Sequence, residues 1–85
     1  MFHVYVIKSI KHDWYYVGST GDLQNRLDQH NAGQVHSTKF RLPYILFYTE
    51  TYSAASEARQ REKKIKKDRI LKESIIRNTA PSSIG

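Results

Sequence analysis

The sequence predicts an α+β fold, in which a small and mostly antiparallel sheet of three strands is covered by helices in the order ββαβαα. Three observations lead to this prediction. The 85 residues fit one domain, near the small end of what folds on a single core. Two strand-like runs precede the first helical pattern, and a third run follows it. Two further helical patterns complete the domain, and the sequence contains no internal repeat.

The strands are predicted from alternation and residue type. Residues 2–7 alternate with a period of two, which places Phe2, Val4 and Val6 on one face. Residues 14–19 form a second run of aromatic and β-branched residues, and the polar stretch between the runs is short enough for a hairpin loop. Residues 44–49 form the third predicted strand.

The first helix is predicted from its ends. Asp22 is placed to favour the positive N-terminus of a helix. Leu23, Leu27 and His30 follow at helical spacing. Gly33 suits the left-handed cap that ends many helices, so the helix should stop there.

Two more helices are expected after the third strand. Ser53 should cap a helix over 54–67, and Asp68 should cap the next one. The last helix should turn three apolar residues inward, namely Ile70, Leu71 and Ile75. The domain is therefore expected to span residues 1–78, with a disordered tail of small and polar residues over 79–85.

The charge balance predicts a polyanionic partner. Fourteen Lys and Arg oppose eight Asp and Glu, giving a formal charge of +6. A basic excess at this size favours nucleic acid or an acidic membrane surface. Much of the excess lies between Arg59 and Lys67, where a solvated helix face is the alternative interpretation.

Composition also excludes some classes of protein. The absence of cysteine excludes a disulfide framework and thiolate metal sites. No apolar run approaches the roughly 20 residues that cross a bilayer. The first residues lack the charged-then-apolar order of a signal peptide. We therefore expect a cytoplasmic protein that does not bind membranes.

Four polar residues are candidates for chemistry. Tyr5 and Tyr16 fall on the two hairpin strands, where core packing is the alternative role. Arg26 and His30 are one helical turn apart and share a face. A surface arginine and a histidine at a fraying helix end would explain them equally well.

The second helix carries a carboxylate on its inward stripe. That stripe is made of Ala55, Ala58 and Ile65. Glu62 lies on it, whereas Glu57 points to roughly the opposite side. A core-facing carboxylate is costly unless it is paired, protonated or bound to a cation. A salt bridge to Arg26 and a Mg²⁺ ligand are the two alternatives.

Together these residues resemble the GIY-YIG nucleases. His3-Val4-Tyr5 followed by Tyr16-Val17-Gly18 is similar to the paired signature of that family, although His3 stands where the first Gly is usual. Arg26, then His30 one turn later, match its first helix, and Glu62 matches its metal-binding Glu. The likeness covers residues 2 to about 78 and is strongest to the short standalone bacterial members.

The resemblance implies a metal-dependent endonuclease with a three-stranded antiparallel sheet, acting on nucleic acid with DNA as the expected substrate, in repair or recombination. Glu62 would hold one Mg²⁺ or Mn²⁺. Arg26 would bind the phosphate with its planar fork. Tyr5 would act as general base or position the water, with its pKa lowered or its proton passed to His30. Tyr16 would hydrogen-bond the phosphate or the nucleophile.

Five basic residues are expected to contact the nucleic-acid backbone. They are Lys39, Arg41, Arg59, Lys63 and Lys66. No small-molecule cofactor is expected. Two alternatives to an enzyme remain: a noncatalytic nucleic-acid binding module that keeps the fold, and a protein-interaction domain.

Overall fold

A computed structural model describes residues 1–79. Within them the order is ββαβαα, and the elements are β1 (Phe2–Ser9), β2 (Tyr15–Thr20), α1 (Leu23–Asn31), β3 (Tyr44–Tyr52), α2 (Ala55–Lys67) and α3 (Arg69–Asn78). The strand order is β2-β1-β3, and both pairings are antiparallel. The predicted fold class is therefore confirmed. The predicted tail lies outside the described residues, except for Thr79, which ends α3.

The central strand β1 decides how long the sheet is. It extends two residues beyond the predicted end, to Ser9, because Lys8 pairs with both neighbouring strands and Ser9 pairs with Tyr44 of β3. β3 runs on to Tyr52, which pairs with Phe2 at the start of β1. The β1–β3 register shifts between Val6 and Ile7, which marks a bulge.

The sheet separates two hydrophobic clusters. On one face, Val4, Val6 and Val17 pack with apolar residues of α2 and α3. Those helix residues are Ala58, Ile65 and Ile75. On the other face the buried cluster is Tyr5, Ile7 and Tyr44, packed against Leu23 and Leu27 of α1. Alternation along β1 therefore sends Tyr5 toward α1, away from the larger apolar cluster.

Helix α1 begins and ends as expected. The side chain of Asp22 accepts a hydrogen bond from the backbone N–H of Asn25 at 3.1 Å, which satisfies one free donor of the first turn. Gly33 follows the helix with φ of 76°, a left-handed conformation that favours glycine. α1 ends at Asn31, and Gly33 supplies the left-handed residue just beyond its cap at Ala32, as the sequence predicted.

The prediction that Ser53 caps α2 is wrong, because the cap position is occupied by Ala54. Alanine has no side-chain acceptor. Glu57 instead reaches back, and its carboxylate accepts from the Ala54 N–H and from the Ser53 hydroxyl, each at 3.3 Å. Glu57 is exposed, as expected, and its charge also suits the helix N-terminus.

The prediction that Ile70 points inward is also wrong, since 78% of it is exposed. Asp68 does cap α3, with its side chain accepting from the Leu71 N–H at 3.0 Å. This start fixes the rotation of the helix, so Leu71 and Ile75, one turn apart, face the core. Ile70 is then one residue, about 100°, off that stripe.

Candidate active site

Tyr5 lies at the centre of the sheet and is almost fully buried. It is directly opposite Gly18 in the β1–β2 register. A β-carbon at Gly18 would lie 2.5 Å from Tyr5 Cζ, closer than packed atoms approach. Glycine is therefore required at this strand position because the tyrosine ring crosses over it.

A chain of hydrogen bonds leads away from Tyr5. Its hydroxyl is 2.8 Å from His30 Nε2, and His30 Nδ1 is 2.8 Å from Thr38 Oγ1. The Thr38 hydroxyl also lies 3.4 Å from the Val35 carbonyl, so we assign its proton to that carbonyl and the His30 Nδ1–H to the Thr38 oxygen. His30 Nε2 is then the free lone pair, and the Tyr5 hydroxyl donates to it.

Both ends of the Tyr5–His30 hydrogen bond are neutral at pH 7. Burial, helped by the charge of Arg26, lowers the pKa of His30 to about 4. Burial raises the pKa of Tyr5, although the nearby charge of Arg26 opposes this. In the resting protein His30 is therefore an unprotonated acceptor, and Tyr5 keeps its proton.

Arg26 and Tyr16 complete this side of the site. Arg26 is half-buried, and its Nη1 donates to Gln29 Oε1 at 2.9 Å, which orients the guanidinium along α1. Tyr16 packs edge-on against the imidazole of His30, with ring centroids 5.3 Å apart. The structure thus brings Tyr5, Tyr16, Arg26 and His30 together between β1, β2 and α1.

Glu62 approaches this group from α2. Its side chain is 20% exposed. Ser19 Oγ donates to Oε1 at 2.6 Å, and Lys66 Nζ lies 2.7 Å from Oε2. The ion-pair partner of Glu62 is therefore Lys66, one helical turn along, and not Arg26. The negative charge of Glu62 contributes to raising the pKa of Tyr5, so the carboxylate lies within electrostatic range of the Tyr5–His30–Thr38 hydrogen-bond chain, called the relay below.

Glu62 could hold a divalent cation with few protein ligands. Within residues 1–79 no three His, Cys, Asp or Glu side chains cluster as a metal cage. Mg²⁺ does not need such a cage, because it commonly takes one or two carboxylates and keeps several waters. Lys66 pairs with one carboxylate oxygen at 2.7 Å, so a divalent cation bound there would displace this partly exposed ammonium. The residues present fit a single-metal site.

The predicted backbone contacts divide into two groups. Lys39, Arg59 and Lys63 are exposed. Arg41 stacks on the ring of Trp14, with its guanidinium carbon 4.6 Å from the centroid. Lys66 is also exposed, at 44% of its side chain, but it is held in the site by Glu62 and lies 5.2 Å from the ring centroid of Tyr16. In the part of the chain described, no helix has the length and apolar character that crossing a membrane requires.

Sequence reasoning missed a second charged centre, which is half-buried. Glu50 on β3 accepts from Arg61 Nε at 2.9 Å and Nη2 at 3.0 Å. The hydroxyls of Tyr48 and Tyr52 also donate to it, at 2.5 and 2.6 Å. Burial works to raise the pKa of Glu50, but these donors outweigh it and hold the pKa at about 2. The alternation of Tyr48, Glu50 and Tyr52 on one strand face was the available signal.

Thr38 and Ser19 were also missed. Thr38 is fully buried and binds His30, and Ser19 binds Glu62. Ser19 follows the Tyr16-Val17-Gly18 triplet directly, so its position beside the site could have been noticed. Thr38 has no such signal, because a loop residue eight positions after His30 could lie anywhere.

Comparison with known proteins identifies the family. A family model described as the GIY-YIG catalytic domain matches residues 1–71. A UPF0213 protein of Halobacterium salinarum is 43% identical over 78 residues, covering 89% of this chain and 100% of the relative. One from Staphylococcus haemolyticus is 42% identical over 65 residues, covering 75% and 78%.

A solved structure is also similar. It is the solution NMR structure of a UPF0213 protein from Bacillus halodurans, with a TM-score of 0.55 and 28% identity over 89% of this chain and 83% of that one. GIY-YIG domains are in general metal-dependent endonucleases that act on nucleic acids. The matched model spans the hairpin tyrosines, the α1 pair and Glu62, and the chain belongs to the GIY-YIG domain family.

Proposed function

We propose that this protein is a metal-dependent endonuclease that hydrolyses phosphodiester bonds of nucleic acid, with DNA as its substrate. The observation that carries the proposal is the hydrogen-bond chain from Tyr5 through His30 to Thr38, with Arg26 beside it. This chain puts an unprotonated imidazole nitrogen 2.8 Å from the Tyr5 hydroxyl, which is the distance that a proton transfer from the tyrosine requires. Membership of the GIY-YIG family supports the same activity.

His30 serves as the proton acceptor for Tyr5. As the Tyr5 hydroxyl passes its proton to His30 Nε2, the tyrosine oxygen takes a proton from the attacking water. The hydroxide attacks phosphorus, and the imidazole becomes imidazolium. A resting pKa of about 4 disfavours that product, but a bound phosphate brings negative charge that opposes Arg26 and raises the pKa of His30. The base is therefore activated by the substrate.

Arg26 stabilises the phosphoryl group. Its fork is oriented by Gln29 and offers two parallel donors to non-bridging oxygens, on which charge develops during the attack. Tyr16, packed against His30, directs its hydroxyl to the same phosphate or to the attacking water. Both residues hold the phosphate in line with the oxygen of Tyr5.

Glu62 would hold the divalent ion that GIY-YIG nucleases require. Ser19 fixes one carboxylate oxygen, which orients the other. When bound there, Mg²⁺ or Mn²⁺ supplies Lewis-acid stabilisation of the leaving alkoxide. Lys66, released from Glu62, is then free to pair with a phosphate. Lys39, Arg41, Arg59 and Lys63 contact the flanking backbone.

The proposal is tested by cleavage of end-labelled substrates. Single-stranded, duplex and branched DNA, together with RNA, are incubated with Mg²⁺, Mn²⁺ or EDTA. We expect cutting of DNA that needs the metal and stops with EDTA. Absence of cutting on every substrate, by a protein that still binds DNA, would overturn the proposal.

A second candidate is a noncatalytic nucleic-acid binding module. One observation favours it: both carboxylate oxygens of Glu62 already have protein partners, Ser19 and Lys66. Such a module would bind DNA with a steep salt dependence, because phosphate contacts release counterions, yet never cut it. Affinity that is flat across the range from low to physiological salt would exclude both candidates.

A further inference from the structure

Phe40 is an exposed aromatic residue on an ordered loop. It is 74% exposed. The loop is held from both sides, since Lys39 N–H donates to the Val35 carbonyl at 3.0 Å and Arg41 N–H to the Thr38 carbonyl at 3.2 Å. The Ser9 hydroxyl also binds the Arg41 carbonyl at 2.6 Å. The exposure of Phe40 is therefore built into the turn, and the ring makes no contribution to the core.

The charges around Phe40 favour an anionic partner. Lys39 Nζ lies 5.0 Å from the centroid of the Phe40 ring, and Arg41 follows it directly. The segment 34–42 contains no Asp or Glu. A protein partner would need an acidic surface with an apolar pocket, whereas nucleic acid offers phosphates and flat base faces together. Aromatic rings beside basic side chains are the combination that binds single-stranded nucleic acid.

The position of Phe40 connects it to the chemistry. Thr38, two residues earlier, is hydrogen-bonded to His30 at 2.8 Å. Two residues of chain span at most about 7 Å, so the base of Phe40 is anchored close to the relay. Bases within a duplex are stacked on one another and cannot offer a face to a side chain, whereas unpaired bases can.

We propose that Phe40 is a stacking platform for an unpaired nucleobase next to the scissile phosphate. The inference rests on the proposed function and specifies its substrate: a strand whose bases are unpaired where it is cut. Lys39 neutralises the phosphate of the stacked nucleotide. Arg41, braced on Trp14, meets the phosphate beyond it.

The test measures binding without turnover. Fluorescein-labelled oligonucleotides are titrated in EDTA and followed by anisotropy, using a single strand with normal bases, the same strand with abasic sites throughout, and a duplex. Phe40→Ala should weaken binding of the normal strand by roughly ten- to a hundredfold. It should change binding of the abasic strand and the duplex by less than about twofold, because those ligands offer no base face. Phe40→Trp should retain the affinity.

Ile45→Ala is the matched control, because Ile45 is another exposed apolar residue, 48% accessible on β3. It should change no affinity, and neither variant should alter the melting temperature. Equal binding of the normal strand by Phe40→Ala and the parent would overturn the proposal. An equal loss on normal and abasic strands would overturn it too. Since no metal is present, these results are independent of whether the protein cuts.

Discussion

Two carboxylates meet at helix α2 and have opposite surroundings: Glu62 belongs to the helix, and Glu50 of β3 binds the preceding helix residue, Arg61. Glu50 receives four hydrogen bonds, two from Arg61 and one each from Tyr48 and Tyr52. Glu62 receives one from Ser19 and pairs with the flexible ammonium of Lys66. A carboxylate with every lone pair engaged has no room for a cation. One that is held by a hydroxyl and a displaceable lysine can exchange its partner.

The two arginines repeat this difference. Arg61 is bound in a bidentate fashion to Glu50 through Nε and Nη2, so that edge of its guanidinium is used within the protein. Arg26 has Gln29 as a neutral partner for one nitrogen. Glu50 and Arg61, which bind each other through two hydrogen bonds, connect β3 to α2. Arg26 and Glu62, which keep partners that a ligand could displace, lie near the Tyr5–His30 pair. The candidate site therefore differs from the Glu50–Arg61 centre in having charged groups whose partners can be replaced by a ligand.

Neutralising each carboxylate should give the largest contrast. Glu62→Gln should lower cleavage by roughly 10³-fold, since the amide cannot hold a divalent cation, with little change in melting temperature. Glu50→Gln should lower the unfolding free energy by about 2–3 kcal/mol, because Arg61 loses its anionic partner. A fall in melting temperature of about 10 °C is the corresponding shift.

Thermal melts and a Mn²⁺ cleavage assay are run on both variants, with Glu57→Gln as the exposed control. Cleavage by folded Glu50→Gln should match the parent. A Glu62→Gln protein that still cuts would rule out Glu62 as metal ligand. One that melts as early as Glu50→Gln would make Glu62 structural.

Exchanging arginine for lysine sharpens the comparison on the cationic side. Arg26→Lys should reduce cleavage by roughly 10²-fold and leave affinity in EDTA nearly unchanged, because a point charge does not replace the fork. Arg61→Lys should cost about 1 kcal/mol of stability and spare cleavage. Single-turnover rates and urea titrations measure the two effects. Normal cutting by Arg26→Lys would place Arg26 outside the chemistry.

The stabilising contributions of His30 and Glu50 should also be lost in different pH ranges. The pKa of His30 is lowered to about 4, so its contribution is complete above the unfolded value of 6.5 and is lost as the pH falls toward 4. The pKa of Glu50 is lowered to about 2, so its contribution is present above 4.5 and is lost as the pH falls through 2. Urea titrations between pH 8 and 2 should show two successive declines.

His30→Gln should remove the upper decline, which we expect to be on the order of 2 kcal/mol. Glu50→Gln should remove the lower one. His36→Gln, at an exposed histidine, is the control and should keep both. A His30→Gln curve that still falls between pH 6.5 and 4 would assign that decline elsewhere.

The smallest expected effect concerns Lys66. If it competes with the divalent ion for Glu62, Lys66→Met should tighten Mn²⁺ binding by roughly two- to fivefold, the scale of one partly exposed ion pair. Lys63→Met changes the net charge equally on an exposed position and should tighten it less. Calorimetry or Mn²⁺ electron paramagnetic resonance reports binding directly. Unchanged or weaker binding by Lys66→Met would end the idea of competition.

Local signals in the sequence were enough to predict the strand hairpin and helix α1. Alternation along residues 2–7 and the Asp22 and Gly33 ends of α1 depend on neighbours in the chain, and the structure confirms them. The inward placement of Glu62 also follows from helical spacing. The cap at Ser53 failed by one position, because Ala54 occupies the cap of α2. The orientation of Ile70 failed although Asp68 caps α3 as predicted, because the face that α3 turns inward is set by its packing against the rest of the domain.

The remaining features depend on contacts between distant segments. Thr38 reaches His30 only because the loop over 34–42 folds back onto α1, and no periodicity reports that. Glu50 meets Arg61 across eleven residues, through the packing of α2 on the sheet. The preference of Glu62 for Lys66 over Arg26 was settled by proximity along the helix, since a partner one turn away costs less to order.

Gly18 imposes a constraint on how this protein can vary. The main chain at Gly18 packs directly against the Tyr5 hydroxyl, and a backbone contact of this kind cannot be changed by substituting a side chain. If position 18 is varied while Tyr5 is kept, even Gly18→Ala should destabilise the fold, because its β-carbon would collide with the Tyr5 ring. A viable change there must be coupled to a smaller residue at position 5, which discards the hydroxyl. Substitutions at positions 5 and 18 must therefore change together, although twelve residues separate them in the chain. The coupling comes from one cross-strand pair, Tyr5 with Gly18.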